Sequence, residues 1–177
     1  MSKTLFSAKR LCRAGIIAAL YVVLTYVFAP LAFGPFQIRP AEALCILPLF
    51  FFEAVPALYV GCMISNLASP FFFYDVIIGS LVTLTAALIS YLVGVFFKKD
   101  GVKLFLGGLA PVLLNAIFIP VIIVFFCGDP MQTEVWASYF TFVGSIFLTE
   151  AVWVYGLGSP LYFFFSKRKK QEENKKS

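Results

Sequence analysis

At 177 residues, 61% hydrophobic and 18% aromatic, with a mean hydropathy of +0.93, the chain is too apolar for a soluble domain and reads as an all-α integral membrane protein. Its net charge of +5 is no sign of a nucleic-acid partner, because nearly all of the lysine and arginine flanks apolar runs and so reports topology. With no histidine, no CxxC, no GxxxxGK[ST] loop and no HExxH, neither metal binding, redox or hydrolytic chemistry nor ATP hydrolysis has a visible home, which argues against an enzyme.

The chain opens with Lys9, Arg10 and Arg13 before an apolar run. This resembles a signal peptide, but no small-residue cleavage site with a soluble domain follows, so it is read as the first span, about Ala14 to Ala32. Ala14 and Ala18 stand four apart on one helix face, with Gly15 and Ala19 beside them. Small residues at that spacing admit a close helix neighbour, either another span of this protein or an external partner.

The next stretch, Phe33 to Pro48, reads FGPFQIRPAEALCILP. Gly34 and Pro35 end the preceding helix, and Pro40 fits the first turn of a new one, where its missing N–H costs nothing. Arg39 then falls at the N-cap and Glu42 at N3. An N3 carboxylate can simply complement the helix dipole and pair with an arginine three residues back. The cluster of Gln37, Arg39 and Glu42 nevertheless lies where an apolar run begins, and such groups face protein, water or a ligand rather than lipid.

Further spans are read at Pro40–Phe52, Ala54–Ser69, Asp75–Phe97, Lys103–Phe126 and Val135–Phe165. Together they make a six-helix membrane domain over residues 1–166, followed by a basic tail, 167–177, which is disordered or lies on anionic headgroups. The second and third spans reach only about 20–24 Å against a hydrocarbon core of roughly 30 Å, so they need protein around them. Short or proline-interrupted helices that end inside a membrane point to a binding site, and Pro48, Pro56, Pro111 and Pro120 interrupt this chain. All basic residues except Arg39 fall on one face of this topology, which places both termini in the cytoplasm and the protein in the cell membrane.

Asn66, Asn115 and Glu150 within the spans, and Asp75 at the start of the fourth, join Glu42 as polar groups that are costly at membrane depth. Arg39 can balance one carboxylate; a cationic or hydrogen-bond-donating ligand can balance another. The plain alternative is that these groups tie helices together, above all Asn66 and Asn115. Cys12, Cys45, Cys62 and Cys127 read as packing residues. Phe33, Phe36, Phe71, Phe72, Phe73, Tyr74, Trp136, Tyr139 and Phe140 crowd the outer ends, as interface anchors or as flat walls for a planar heterocycle.

FGPFQIRPAEALCILP, preceded by AALYVVLTYVFAPLAFG and followed by VGCMISN and DVIIGSLVTLTAA, resembles the queuosine-precursor transporter (QueT-like) family over nearly the whole chain. The resemblance implies a six-helix substrate-binding S component of an energy-coupling factor (ECF) transporter. Its partners would be the transmembrane coupling subunit EcfT and two ATPase subunits, EcfA and EcfA', and its cargo a 7-deazaguanine such as queuine or the aminomethyl precursor preQ1. No cofactor is implied. Where the family pattern carries Val-Ser between the arginine and the glutamate, this chain has Pro40-Ala41 and lacks that hydroxyl. On this resemblance Gln37, Arg39, Glu42, Asn66, Asp75, Asn115 and Glu150 bind substrate, with Glu42 receiving paired N–H donors, Gln37 or Arg39 donating to a carbonyl, and Asp75 or Glu150 receiving an amine. Ala14 and Ala18 would dock on the coupling subunit. The competing readings are a proton-coupled secondary carrier using Glu42 or Glu150, an S component for a different vitamin, and a membrane subunit without a ligand.

Overall fold

The computed structural model describes residues 7–33, 37–70, 72–126 and 134–174. The Gly34–Pro35 helix break, Phe36, Phe71, Cys127 and the chain after Asn174 lie outside the described residues. Among the described residues the regular structure is all helical: α1 (Ala8–Val27), α2 (Ala29–Ala32), a 3₁₀ segment (Pro40–Leu49), α3 (Ala54–Ser65), α4 (Phe72–Tyr74), α5 (Ser80–Phe96), α6 (Asp100–Val121), α7 (Val135–Ala151) and α8 (Gly158–Asn174).

Among the described residues, four stretches are long and apolar enough to cross a membrane: Ala8–Val27, Phe72–Phe96, Asp100–Phe126 and Val135–Gln171. The last three are continuous helices because π-helical stretches, Asp75–Gly79, Ile122–Phe126 and Val152–Leu157, join α4 to α5, extend α6, and join α7 to α8. Pro40–Leu49 and Ala54–Ala68 are the shorter apolar helices. Leucine, valine and phenylalanine side chains at Leu11, Leu20, Val23, Phe140, Leu148 and Val152 point outward, as lipid-facing surfaces require.

The helices run past the apolar runs at their charged ends. α1 starts at Ala8 rather than Ala14, α6 at Asp100 rather than Lys103, and α8 continues to Asn174, through most of the expected tail. Lysine and arginine are good helix formers, so a helix does not stop where its hydrocarbon-compatible stretch stops. α8 is also tethered: Lys170 Nζ lies 2.7 Å from Asp100, which further accepts from the Tyr162 hydroxyl at 3.0 Å.

The 3₁₀ segment is the centre of the bundle. Every residue from Pro40 to Leu49 is buried, and α1, α3, α5, α6 and α8 all pack on it. Arg39 caps it, Pro40 sits at its first position and Glu42 in its first turn, as the sequence pattern predicts. Its 3₁₀ geometry is not foreseen by that pattern. At about 2.0 Å per residue, ten residues advance about 20 Å, so the wound-tight segment covers most of the distance a longer α-helix would need. One core cluster joins α1, the 3₁₀ segment and α3 around Tyr21, Leu44 and Leu58; a second joins α6 and α7 around Ile119 and Ile146.

Candidate ligand site

Four ionisable side chains are buried together toward the start of the 3₁₀ segment: Arg39, Glu42, Asp75 and Glu150. Arg39 interacts electrostatically with Asp75 and Glu42, and Glu42 with Glu150, so they share one polar interior. Arg39 and Glu42 stand at the start of the 3₁₀ segment, Asp75 opens the π-helical turn before α5 and Glu150 lies on α7, and their hydrogen bonding divides them into held and unfilled groups.

Glu42 is held. Its Oε1 accepts from the Tyr21 hydroxyl of α1 at 2.5 Å and its Oε2 from the Cys45 thiol at 3.0 Å. Among the described residues no ion pair joins it to Arg39, so the simple pairing of neighbours is not what keeps this carboxylate in the interior.

The other three each have a polar atom without a protein partner. Arg39 donates from Nε to the Ala32 carbonyl at 3.0 Å and lies 5.1 Å from the Phe33 ring centroid, but its Nη2 is unmet. Asp75 opens the π-helical turn; the Ser69 hydroxyl donates to its Oδ2, and Asn66 Nδ2 donates to its backbone carbonyl at 2.7 Å, while Oδ1 is unmet. Glu150, one residue before the end of α7, accepts from Asn115 Nδ2 at 3.0 Å through Oε1, and its Oε2 is unmet. Buried unmet polar atoms cost about 1–3 kcal/mol each, more when charged, so Arg39 Nη2, Asp75 Oδ1 and Glu150 Oε2 are atoms with which a polar guest could pair.

Gln37 is buried beside them with φ at +46°, a left-handed conformation that costs a non-glycine residue about 1 kcal/mol. Asn115 orients the Glu150 carboxylate and Asn66 holds the Asp75 backbone, which makes them supports of Glu150 and Asp75. Ala14 and Ala18 lie elsewhere: both are half-buried against the core cluster of α1 and α3.

Sequence reasoning missed Tyr21, Cys45 and Ser69. Tyr21 looks like one more aromatic in an apolar run, and Cys45 like a packing thiol; the hydrogen bonds to Glu42, across helices from Tyr21 and one turn along the same segment from Cys45, give them a role. Cys62 likewise accepts from Thr83 at 3.3 Å and from Asn66 at 3.4 Å. Two clefts, of about 470 and 380 Å³, lie at the other end of the bundle, where Arg13 pairs with Glu53 at 2.7 Å, and neither includes the acidic cluster.

Residues 11–167 match the sequence profile described as QueT transporter. The chain belongs to that family. The queuosine precursor transporter QueT of Lactococcus lactis subsp. cremoris (strain MG1363) is 40% identical over 87 residues, 48% of this chain and 51% of that protein. The match therefore spans about half the length of this curated QueT relative. The profile match identifies a transporter family, and the apolar helices mark a multi-pass membrane protein. No solved structure matches the chain.

Proposed function

We propose that this QueT family member is the membrane-embedded S component of an ECF importer and that it captures a 7-deazaguanine queuosine precursor. The observation that carries the reading is the set of unmet atoms on Arg39, Asp75 and Glu150 around a Glu42 already held by two donors. A guanine-type edge presents two adjacent N–H donors, which one carboxylate accepts in bidentate fashion, and Glu42 is the receiver with a fixed orientation. The ring carbonyl takes a hydrogen bond from Arg39 Nη2 or from Gln37. Three carboxylates against one guanidinium favour a cation, so the amine of queuine or preQ1 pairs with Glu150 Oε2 or Asp75 Oδ1. Phe33, stacked beside Arg39, offers a flat wall nearby.

In this reading the energy for uptake comes from ATP hydrolysis in EcfA and EcfA' and is coupled to this protein through EcfT. Ala14 and Ala18 contribute to docking on EcfT through the part of each that the α1–α3 core leaves uncovered. Mass spectrometry of small molecules released from the purified protein is expected to find a 7-deazaguanine. Its uptake in cells is expected to stop when the partner ATPase is inactivated. Uptake by the purified protein alone, driven by a pH gradient, would instead establish a secondary carrier.

In this reading both termini are cytoplasmic, which the lysines and arginines flanking the spans support. Reporter fusions at Met1 and Ser177 are expected to be active only for a cytoplasmic reporter; an external C-terminus would reverse the topology.

A further inference from the structure

Tyr21 is only 1% exposed and belongs to α1, a helix whose other side faces outward. A phenylalanine would fill the same volume, so packing does not account for the hydroxyl. A hydroxyl in a dry interior is costly unless paired, and this one donates to Glu42 Oε1 at 2.5 Å.

The ring is also fixed from its backbone. Thr25 Oγ1 donates to the Tyr21 carbonyl at 2.9 Å. α3 comes so close at Gly61 that an added Cβ there would lie 3.0 Å from Tyr21 Cβ and 3.2 Å from the Ala18 carbonyl. The Tyr21 backbone and Cβ are thus fixed where α1 meets α3. With Cys45 on Oε2, each carboxylate oxygen has one protein donor and keeps a further lone pair. The carboxylate plane is set before any guest arrives, and preorganised acceptors discriminate among guests more sharply than mobile ones.

We propose that Tyr21 is a positioning residue for recognition, which fixes the Glu42 carboxylate so that it prefers ligands carrying an exocyclic 2-amino group beside a ring N–H. The inference rests on the reading of Glu42 as the receiver of paired donors. A site built to pair with such a group rejects the analogue that lacks it, because a buried acceptor is then left unmet.

The test uses the purified full chain in detergent, with preQ1 and its 2-desamino analogue as the two ligands, measured by calorimetry. The native protein is expected to prefer preQ1 by about 100-fold. Tyr21→Phe is expected to weaken preQ1 by at least about tenfold and the analogue by less than about threefold, so that the preference falls more than about threefold. Equal loss for both ligands would assign Tyr21 to packing, and an unchanged preference would remove it from recognition; either overturns the proposal. If Tyr21→Phe is not monodisperse, Cys45→Ala removes the other donor and leaves the ring. It is then expected to lower the preference in the same sense, and an unaltered preference sinks the idea. A native chain that binds neither ligand would overturn the deazaguanine reading itself, and this inference with it, whereas native binding with an unaltered variant preference overturns the inference alone.

Discussion

Glu42→Gln is expected to weaken binding of a 7-deazaguanine by more than about 100-fold, close to 3 kcal/mol. The substitution keeps the shape and exchanges one acceptor for a donor. That amide N–H₂ then faces the Tyr21 hydroxyl, the Cys45 thiol or the ligand's own N–H, each of which is donating in the native arrangement. A donor opposed to a donor in a buried site forfeits both hydrogen bonds, and water cannot enter to repair them. Asn66→Ala makes the informative contrast. Asn66 meets the Asp75 backbone carbonyl and Cys62, so its loss loosens the support of Asp75 and leaves every ligand-facing atom in place. Its effect is expected to be clearly smaller. Calorimetry on both variants decides the matter, and a loss below about tenfold for Glu42→Gln would remove Glu42 as the main reader.

How much of this site was legible in the sequence depends on whether the signal is local. Pro40 at the first helical position, Arg39 before it and Glu42 in the first turn follow from rules that act within a few residues, and the structure has them so. The cost of Asp75 and Glu150 in apolar runs is likewise a one-residue argument, and both are buried. The 3₁₀ winding of Pro40–Leu49 is not local: it is imposed by five helices packing on a segment buried at every position, with no polar face whose period could be read. For the same reason Tyr21 was invisible. Its partner is 21 residues away, and an aromatic residue on an apolar helix carries no mark of the carboxylate it will meet. Helix ends misled in a different way. Hydropathy measures what hydrocarbon tolerates, while Lys9, Arg10 and Lys170 continue a helix into water at no cost in propensity.

The largest expected effect on stability comes from Gly94→Val in α5. A Cβ at Gly94 would lie 2.5 Å from the Leu49 carbonyl oxygen, 2.8 Å from its Cα and 3.0 Å from its carbonyl carbon. These are backbone atoms at the end of the 3₁₀ segment, so no rotamer change relieves the clash. Leu49 is not free to retreat either, because its side chain lies where a Cβ at Gly107 of α6 would be, 2.6 Å away at the nearest atom. α5 must therefore separate from the central segment, at a cost of about 3 kcal/mol or more, the upper range for overpacking in a close-packed interior. Thermal unfolding in detergent is expected to show a much lower midpoint for Gly94→Val. Gly144→Ala in α7 is the control, since nothing lies within 4 Å of its added Cβ and alanine favours a helix by up to about 1 kcal/mol over glycine. Because Glu42 stands on the same segment as Leu49, Gly94→Val is also expected to lose ligand affinity without touching the site. A native unfolding midpoint in that variant would mean that α5 and the 3₁₀ segment are not packed backbone to backbone.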